Sequence, residues 1–245
     1  MGAAEILYRK IENPVRALKI LEQMEGRRAR LFRREIFVSL SEWERCIDTY
    51  REEEREAAGE EQKADILTEI GNIYSEKLRD AGKGIEHYEK ALFHSPRHIR
   101  ASMSLADKYV QMKKWEKAEP LLEMLLKRQD IVGDPEKAAE LHYQVGLTAE
   151  NLLDYDRAFR EFQTAIKLFP ENLKTSYGLA RLYFKKEYYQ LSKDNYIKIL
   201  NSHKERMPDE DLVRARPSLF QEGVLPALQG QLHQDTEQSQ GEDAR

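Results

Sequence analysis

Small residues recur along this chain at a nearly regular interval, and this recurrence constrains the fold more than any other feature. Successive members are separated by 29, 38, 34, 40 and 34 residues. A period of roughly 20 to 50 residues indicates an array of one supersecondary unit, in which each repeat covers the apolar face of its neighbour. The residues that mark the period are Ala17, Cys46, Gly84, Ala118, Ala158 and Ser192.

Bulky side chains accompany these small residues at fixed offsets. Most of them have an aromatic residue three positions earlier, at Trp43, Trp115, Tyr155 and Tyr189. A large side chain follows each of them four positions later, at Leu21, Tyr50, Tyr88, Leu122, Phe162 and Tyr196. Antiparallel helices approach closely only where a small residue leaves room, and large neighbours then fill the gaps. The pattern therefore predicts helix pairs with one apolar face per helix.

The segment 141–170 carries the fullest version of the repeat. Its small, apolar and helix-ending positions are Val145, Gly146, Ala149, Ala158, Phe162, Ala165 and Pro170. At these offsets the segment resembles the tetratricopeptide repeat, a helix-turn-helix unit of about 34 residues. The resemblance implies an all-α fold, a right-handed superhelical solenoid of about five to six helix pairs. It also implies a scaffold or adaptor for other proteins, without enzymatic activity of its own.

The alignment divides the chain into units that together reach residue 205. The predicted units are 3–24, 27–60, 64–97, 99–132, 139–172 and 173–205. We expect the longer intervals to form loops near Gly59 to Lys63 and Ile131 to Ala138, because loops absorb insertions at little entropic cost. A capping helix is predicted at 206–229. The acidic segment 230–245 has almost no apolar residues and is predicted to be disordered.

The predicted first unit is incomplete at its N-terminal side. Its first helix is too short to shield Val15, Leu18 and Leu21, and an exposed apolar end of this kind favours self-association or a partner. The incomplete unit also supports an alternative, in which the chain is the regulatory portion of a larger enzyme or of a secretion or assembly complex.

Charge and cysteine content exclude several other classes of protein. The net charge of −4 arises after residue 205, so the preceding 205 residues are neutral and lack the basic excess of a nucleic-acid binder. An RNA-binding helical repeat is therefore disfavoured. Cys46 is the only cysteine, which excludes an internal disulfide. No apolar run approaches the ~20 residues that span a bilayer, so we expect a cytoplasmic protein.

The chain offers few residues for catalysis, cofactors or metals. His94 and His98 have the spacing of two ligands on one helical face, but Pro96 lies between them and would break that helix. His142 and Cys46 fall at packing positions of the repeat, and Cys46 has no histidine nearby to activate it. We predict no catalytic residue, no cofactor and no metal site.

A binding surface is instead predicted on the first helix of each repeat, because in proteins similar to this one those helices line a concave groove. The two last units combine aromatic and basic side chains there, which is typical of peptide-anchoring surfaces. The predicted groove residues are Tyr143, Leu147, Lys174, Tyr177, Arg181, Phe184 and Lys185. A secondary groove is predicted at Asn72, Arg100, Met103, Asp107 and Val110.

The chemistry of this groove predicts the partner. Large apolar area beside unpaired positive charge favours a protein or peptide that presents an apolar residue next to Asp or Glu. The alternative is that Tyr177 and Phe184 only pack against the terminal cap. Some family members bind the C-terminal carboxylates of chaperones through five residues, of which this sequence matches only Asn72. Binding of a chaperone tail is therefore disfavoured.

Overall fold

The structure is a computed structural model that describes residues 2–128 and 133–204. Within these ranges the secondary structure is helical, and no strand occurs. The chain divides into two compact units, Met1–Ile131 and Val132–Arg245. The predicted capping helix at 206–229 and the predicted tail at 230–245 lie outside the described residues.

The described part of the first unit consists of consecutive helices joined by short turns. They are α1 (Gly2–Arg9), α2 (Pro14–Leu21), α3 (Arg27–Ser39), α4 (Trp43–Glu56), α5 (Glu60–Asn72), α6 (Ala81–His94), α7 (Ile99–Gln111) and α8 (Trp115–Leu126). Helix α5 continues into a π-helical turn at Ile73–Lys77. The described part of the second unit contains α9 (Pro135–Asn151), α10 (Tyr155–Leu168), α11 (Leu173–Lys185) and α12 (Tyr189–Lys204).

The helices pack as antiparallel pairs, and the small residues of the repeat lie at their contacts. The positions that mark the period are buried in every pair, with Ala17, Ala118, Ala158 and Ser192 fully enclosed. The first helices of successive pairs also contact each other directly, α5 with α7 and α9 with α11. Among the described residues, no comparable contact joins the second helices of successive pairs. The first helices therefore form the inner face of each unit.

Polar side chains before the first turn fix where many helices begin. Each accepts a hydrogen bond from a backbone N–H that has no partner inside the helix, which is the preferred role of Asn and Asp at this position. The residues that cap a helix in this way are Asn13, Asp80, His98, Asp134, Asp154 and Asn172. Proline occupies the next position in α2 and α9, where its missing N–H costs nothing.

The π-helical turn accommodates one extra residue in a repeat. Thirteen positions separate Gly71 from Gly84, whereas twelve separate the equivalent Gly146 and Ala158. A π-helical turn adds one residue to an α-helix without breaking it, and it occurs at Ile73–Lys77, between the two glycines. Gly71 and Gly84 thus keep the close helix contact of the other repeats despite the insertion.

Two expectations about the repeat boundaries are wrong. The predicted loop at 59–63 is mostly helix, because α5 begins at Glu60. In the predicted loop at 131–138, the residues from Pro135 onward belong to α9. The additional residues extend these helices at their N-terminal ends, where Glu60 and Glu136 in the first turns favour the helix dipole.

The N-terminal pair is also better covered than expected. Leu18 and Leu21 are buried against α1 and α3, so the prediction that α1 leaves them unshielded is wrong. Val15 remains 71% exposed, and Ile6 and Ile11 are exposed as well. The apolar surface at this end is therefore smaller than the sequence suggested.

Candidate functional site

Helices α9 and α11 meet on the inner face of the second unit around a buried carboxylate. The side chain of Glu150 is 1% exposed and lies near the C-terminal end of α9. Arg181 donates to both of its oxygens, with Nε 3.1 Å from Oε1 and Nη2 2.5 Å from Oε2. Lys185 donates from Nζ to Oε1 at 2.8 Å. A bidentate guanidinium and an ammonium therefore satisfy one carboxylate across two successive repeats.

This arrangement corrects the prediction of unpaired positive charge in the groove. Arg181 and Lys185 lie four residues apart on one face of α11, and both reach the same glutamate of the preceding repeat. The Lys185 side chain nevertheless keeps 46% of its surface exposed. Its ammonium group is thus held in place by Glu150 while it still faces solvent.

Leu147 and Tyr143 lie on the same helix as Glu150, one turn and two turns earlier respectively. Both are half-buried and pack against the cluster around Phe162, with the rings of Tyr143 and Phe162 6.0 Å apart. Burial raises the pKa of the Tyr143 phenol above its ordinary value, and the guanidinium of Arg181 opposes that shift. The phenol is therefore neutral at physiological pH and can donate a hydrogen bond.

The other two predicted aromatic residues contact the last described helix. The ring of Tyr177 lies 5.8 Å from that of Tyr196, and the ring of Phe184 lies 5.6 Å from that of Tyr189. Both partners belong to α12, the second helix of the same repeat, so this packing needs no terminal cap. Tyr177 and Phe184 remain half-buried, so part of each side chain is still accessible. Lys174 is exposed at the first turn of α11.

The predicted secondary groove of the first unit is mostly occupied by internal contacts. Asn72 accepts hydrogen bonds from Tyr88 at 2.9 Å and from Ser104 at 3.4 Å. Arg100 pairs with Glu69 and with Asp65. These contacts tie α5 to α6 and α7, and they leave few polar atoms of this groove unpartnered.

The apolar and acidic members of the secondary groove differ in exposure. Met103 is 40% exposed, whereas Val110 is only 9% exposed, so the expectation that Val110 lines an open groove is wrong. Asp107 accepts a hydrogen bond from Gln111 at 2.6 Å, one turn later on α7. Met103 is thus the main apolar side chain that this groove presents to solvent.

The histidines that the sequence singled out make structural contacts. His98 is buried, accepts the N–H of Ala101 at the start of α7, and lies 3.1 Å from Asp65. His142 Nδ1 lies 2.6 Å from Glu161 of α10. In the described part of the chain, no three metal-ligating side chains form a cluster. Cys46 is buried, which raises the pKa of its thiol, while Arg34 opposes the shift.

A second concave feature of the second unit was not predicted. A cavity of about 420 Å³ lies between α10 and α11 and continues to the turn after α11. Its walls are rich in aromatic rings, and Phe159 and Tyr183 meet edge to face at 5.2 Å. The lining residues are Tyr155, Asp156, Phe159, Arg160, Leu182, Tyr183, Lys186 and Tyr188. Tyr155 and Tyr183 fit the repeat pattern, but that pattern assigns them to helix packing and gives no signal of an opening.

The fold defines a helical-repeat protein. Its helices form antiparallel pairs, small residues are buried at the contacts of these pairs, and the first helices make the inner face. The tetratricopeptide repeat family model matches residues 139–172, the same span as one predicted unit. The predicted resemblance to the tetratricopeptide repeat is confirmed for this unit, and the repeated helix pairs place the fold in the class of tetratricopeptide-type helical arrays. This class comprises scaffolds for protein–protein interaction and is typically not enzymatic. No described helix is long and apolar enough to cross a bilayer.

Solved structures of MamA share this fold. A MamA double mutant from RS-1 is 20% identical, covers 76% of this chain and 100% of its own, and superposes with a TM-score of 0.63. MamA from Desulfovibrio magneticus RS-1, residue 41 to the end, gives the same identity and coverage with a TM-score of 0.62. A further crystal structure of MamA is 14% identical, covers 71% of this chain and 96% of its own, and has a TM-score of 0.60. No curated protein matches the sequence significantly.

Proposed function

We propose that this protein is a scaffold whose inner face in the second unit binds an extended or helical peptide with an apolar residue next to Asp or Glu. The observation that carries the proposal is the position of Lys185, an exposed ammonium held by buried Glu150 on the face that presents Tyr143 and Leu147. A partner carboxylate would meet a positioned positive charge, and an apolar side chain would meet half-buried rings beside it.

The rigidity of this surface favours binding. Glu150 is buried and joined to both cations, so the side chains at the centre of the face lose little conformational entropy when a partner arrives. The half-buried rings of Tyr177 and Phe184 are likewise held by α12. We expect the aromatic side chains to supply most of the affinity and the rim lysines to accelerate association.

Affinity capture with paired charge reversals tests the proposal. The groove variant carries Lys174→Glu and Lys185→Glu, and the control carries Lys167→Glu and Lys186→Glu, which change the net charge equally. Lys186 adjoins Lys185 in sequence but pairs with Asp156 on α10. We expect partners of the wild type to be lost from the groove variant and retained by the control. Equal retention by both variants would contradict the proposal.

A cytoplasmic location and self-association through the N-terminal pair stay predictions from the sequence.

A further inference from the structure

The first unit contains a basic cavity on the side away from its inner face. The cavity has a volume of about 670 Å³, its floor is helix α5, and its walls are the second helices α4 and α6. The basic lining residues are Arg51, Arg55, Lys63, Lys83 and Lys90. The remaining lining residues are Glu54, Leu67, Tyr74, Glu86, His87 and His94.

Positive charge predominates among the groups that face this cavity. Five Arg and Lys side chains line it against two Glu side chains, although the first 205 residues as a whole are neutral. A cleft lined mainly by one sign of charge concentrates ligands of the opposite sign. The distribution of charge therefore favours an anionic ligand at this place.

The ion pairs around the cavity are weak, so its Arg and Lys side chains can still bind an anionic ligand. Four of them pair with a carboxylate three or four residues away in sequence: Arg51 with Asp48, Lys63 with Glu60, Lys83 with Asp80 and Lys90 with Glu86. Such exposed short-range pairs contribute little free energy and exchange readily with other anions. Within residues 2–128, Arg55 forms no ion pair. The cavity can therefore receive a carboxylate without loss of a buried interaction.

Tyr74 places a phenol among these cations on the cavity floor. Arg51 Nη2 lies 3.4 Å from the Tyr74 hydroxyl and donates to it, and Lys83 Nζ lies 5.3 Å from the centre of the ring. The His87 ring stacks on Tyr74 at 5.1 Å with an angle of 32°. Because Arg51 donates to its oxygen, the phenol keeps its own proton for an anion. Tyr74 belongs to the π-helical turn, a feature that is frequent at functional sites.

An exposed aromatic residue stands beside the cavity. Phe93 is 84% exposed, and its ring meets the ring of the lining residue His94 edge to face at 5.8 Å. A phenylalanine so exposed beside a basic cavity provides an apolar contact that a free phosphate cannot use, whereas a peptide can.

We infer that this cavity binds an acidic peptide segment, with its carboxylates on Arg51, Lys83 and Lys90 and a neighbouring apolar side chain against Phe93. The inference goes beyond the proposed function, because it concerns a different face in the other unit and does not depend on the groove around Glu150. The scaffold would then offer a second surface for an acidic segment, in the first unit and separate from the groove of the second unit.

Fluorescence anisotropy of the full chain with a labelled peptide tests this inference. The probe is a short polyglutamate peptide with one central leucine. The cavity variant carries Arg51→Glu and Lys90→Glu, and the control carries Lys117→Glu and Lys127→Glu, with circular dichroism used to verify the helices of both. We expect the cavity variant to bind at least about tenfold more weakly and the control to change less than about twofold. Equal weakening in both variants, or no binding by the wild type, would overturn the inference.

Two further probes decide the class of ligand. Phe93→Ala should weaken binding of the leucine-containing peptide by about threefold or more and leave an all-glutamate peptide unaffected, whereas no effect on either peptide would overturn the apolar contact. Pyrophosphate and a single-stranded oligonucleotide compete against the peptide in separate titrations. If the oligonucleotide binds more tightly than the peptide, and only the cavity variant loses it, the assignment to a peptide is wrong.

Discussion

Gly146 of α9 lies against the ring of Phe162 on α10, so closely that a Cβ atom at position 146 would stand 2.7 Å from the ring. The same ring meets Gly178 of the next repeat, where a Cβ atom would lie 3.0 Å away. In the first unit, a Cβ atom at position 71 would likewise lie 2.5 Å from the ring of Tyr88. A glycine on the first helix facing a fully buried ring on the second is thus the contact that sets the spacing of these pairs.

Substitution of these glycines tests that contact. Gly146→Ala should lower the free energy of unfolding by about 1–3 kcal/mol, because the added methyl group forces the buried ring to move. Gly82→Ala is the matched control, since its nearest neighbour would be 3.5 Å away, and it should be neutral or stabilising by up to about 1 kcal/mol. Urea denaturation of both variants provides the measurement. A Gly146→Ala protein as stable as the wild type would mean that the ring is free to shift.

The carboxylate between α9 and α11 leads to a second prediction. Glu150→Ala removes the partner of two cations and should reduce stability by on the order of 1–3 kcal/mol, less than for a fully buried pair because Arg181 and Lys185 stay partly exposed. Asp156→Ala breaks the exposed pair with Lys186 and should cost less than about 0.5 kcal/mol. Urea unfolding that gives equal losses for the two variants would argue against a structural role for Glu150.

Alkaline pH provides a third test, through Tyr143. Burial raises the pKa of Tyr143 in the folded protein, so folding favours the neutral phenol. This preference contributes fully to the free energy of unfolding below the pKa that tyrosine has in the unfolded chain. That stability is lost as the pH rises above about 10, the ordinary pKa of tyrosine. Tyr143→Phe should therefore show a shallower fall in the free energy of unfolding above pH ~10. The exposed Tyr188→Phe serves as control, and an identical fall in wild type and Tyr143→Phe would refute the prediction.

The sequence predicted the helix pairs well because their determinants are local. The small residues, the bulky residues four positions later and the turn prolines all lie within one repeat, so their spacing alone indicates which faces must touch. Ala158 and Phe162 illustrate this, since both are fully buried where the pattern placed them. Helix ends were harder to predict, because the acidic residues before Ala64 are compatible with either a loop or an added helical turn.

The contacts between repeats were not predictable in the same way. The inner face of α9 carries two glutamates, Glu140 and Glu150. The sequence does not reveal which of them Arg181 pairs with, because both are 31 or more residues away from it in the chain. That choice depends on the stacking of α11 on α9 and on side-chain rotamers. The cavities beside Tyr74 and Tyr183 likewise depend on how the helices of successive repeats pack against each other. Both features are set by the packing of repeats and not by spacing within one.

The central claim is that the inner face of the second unit binds a partner, and calorimetric titration of a captured partner tests it most directly. The test variant carries Tyr177→Ala and Phe184→Ala. The control carries Tyr188→Ala and Leu191→Ala, two exposed residues that lie after α11. Circular dichroism must first show intact helices in both, because Tyr177 and Phe184 also contact α12. We predict that the test variant loses on the order of 1–2 kcal/mol per aromatic residue and that the control retains wild-type affinity. Wild-type affinity in the test variant would contradict the claim.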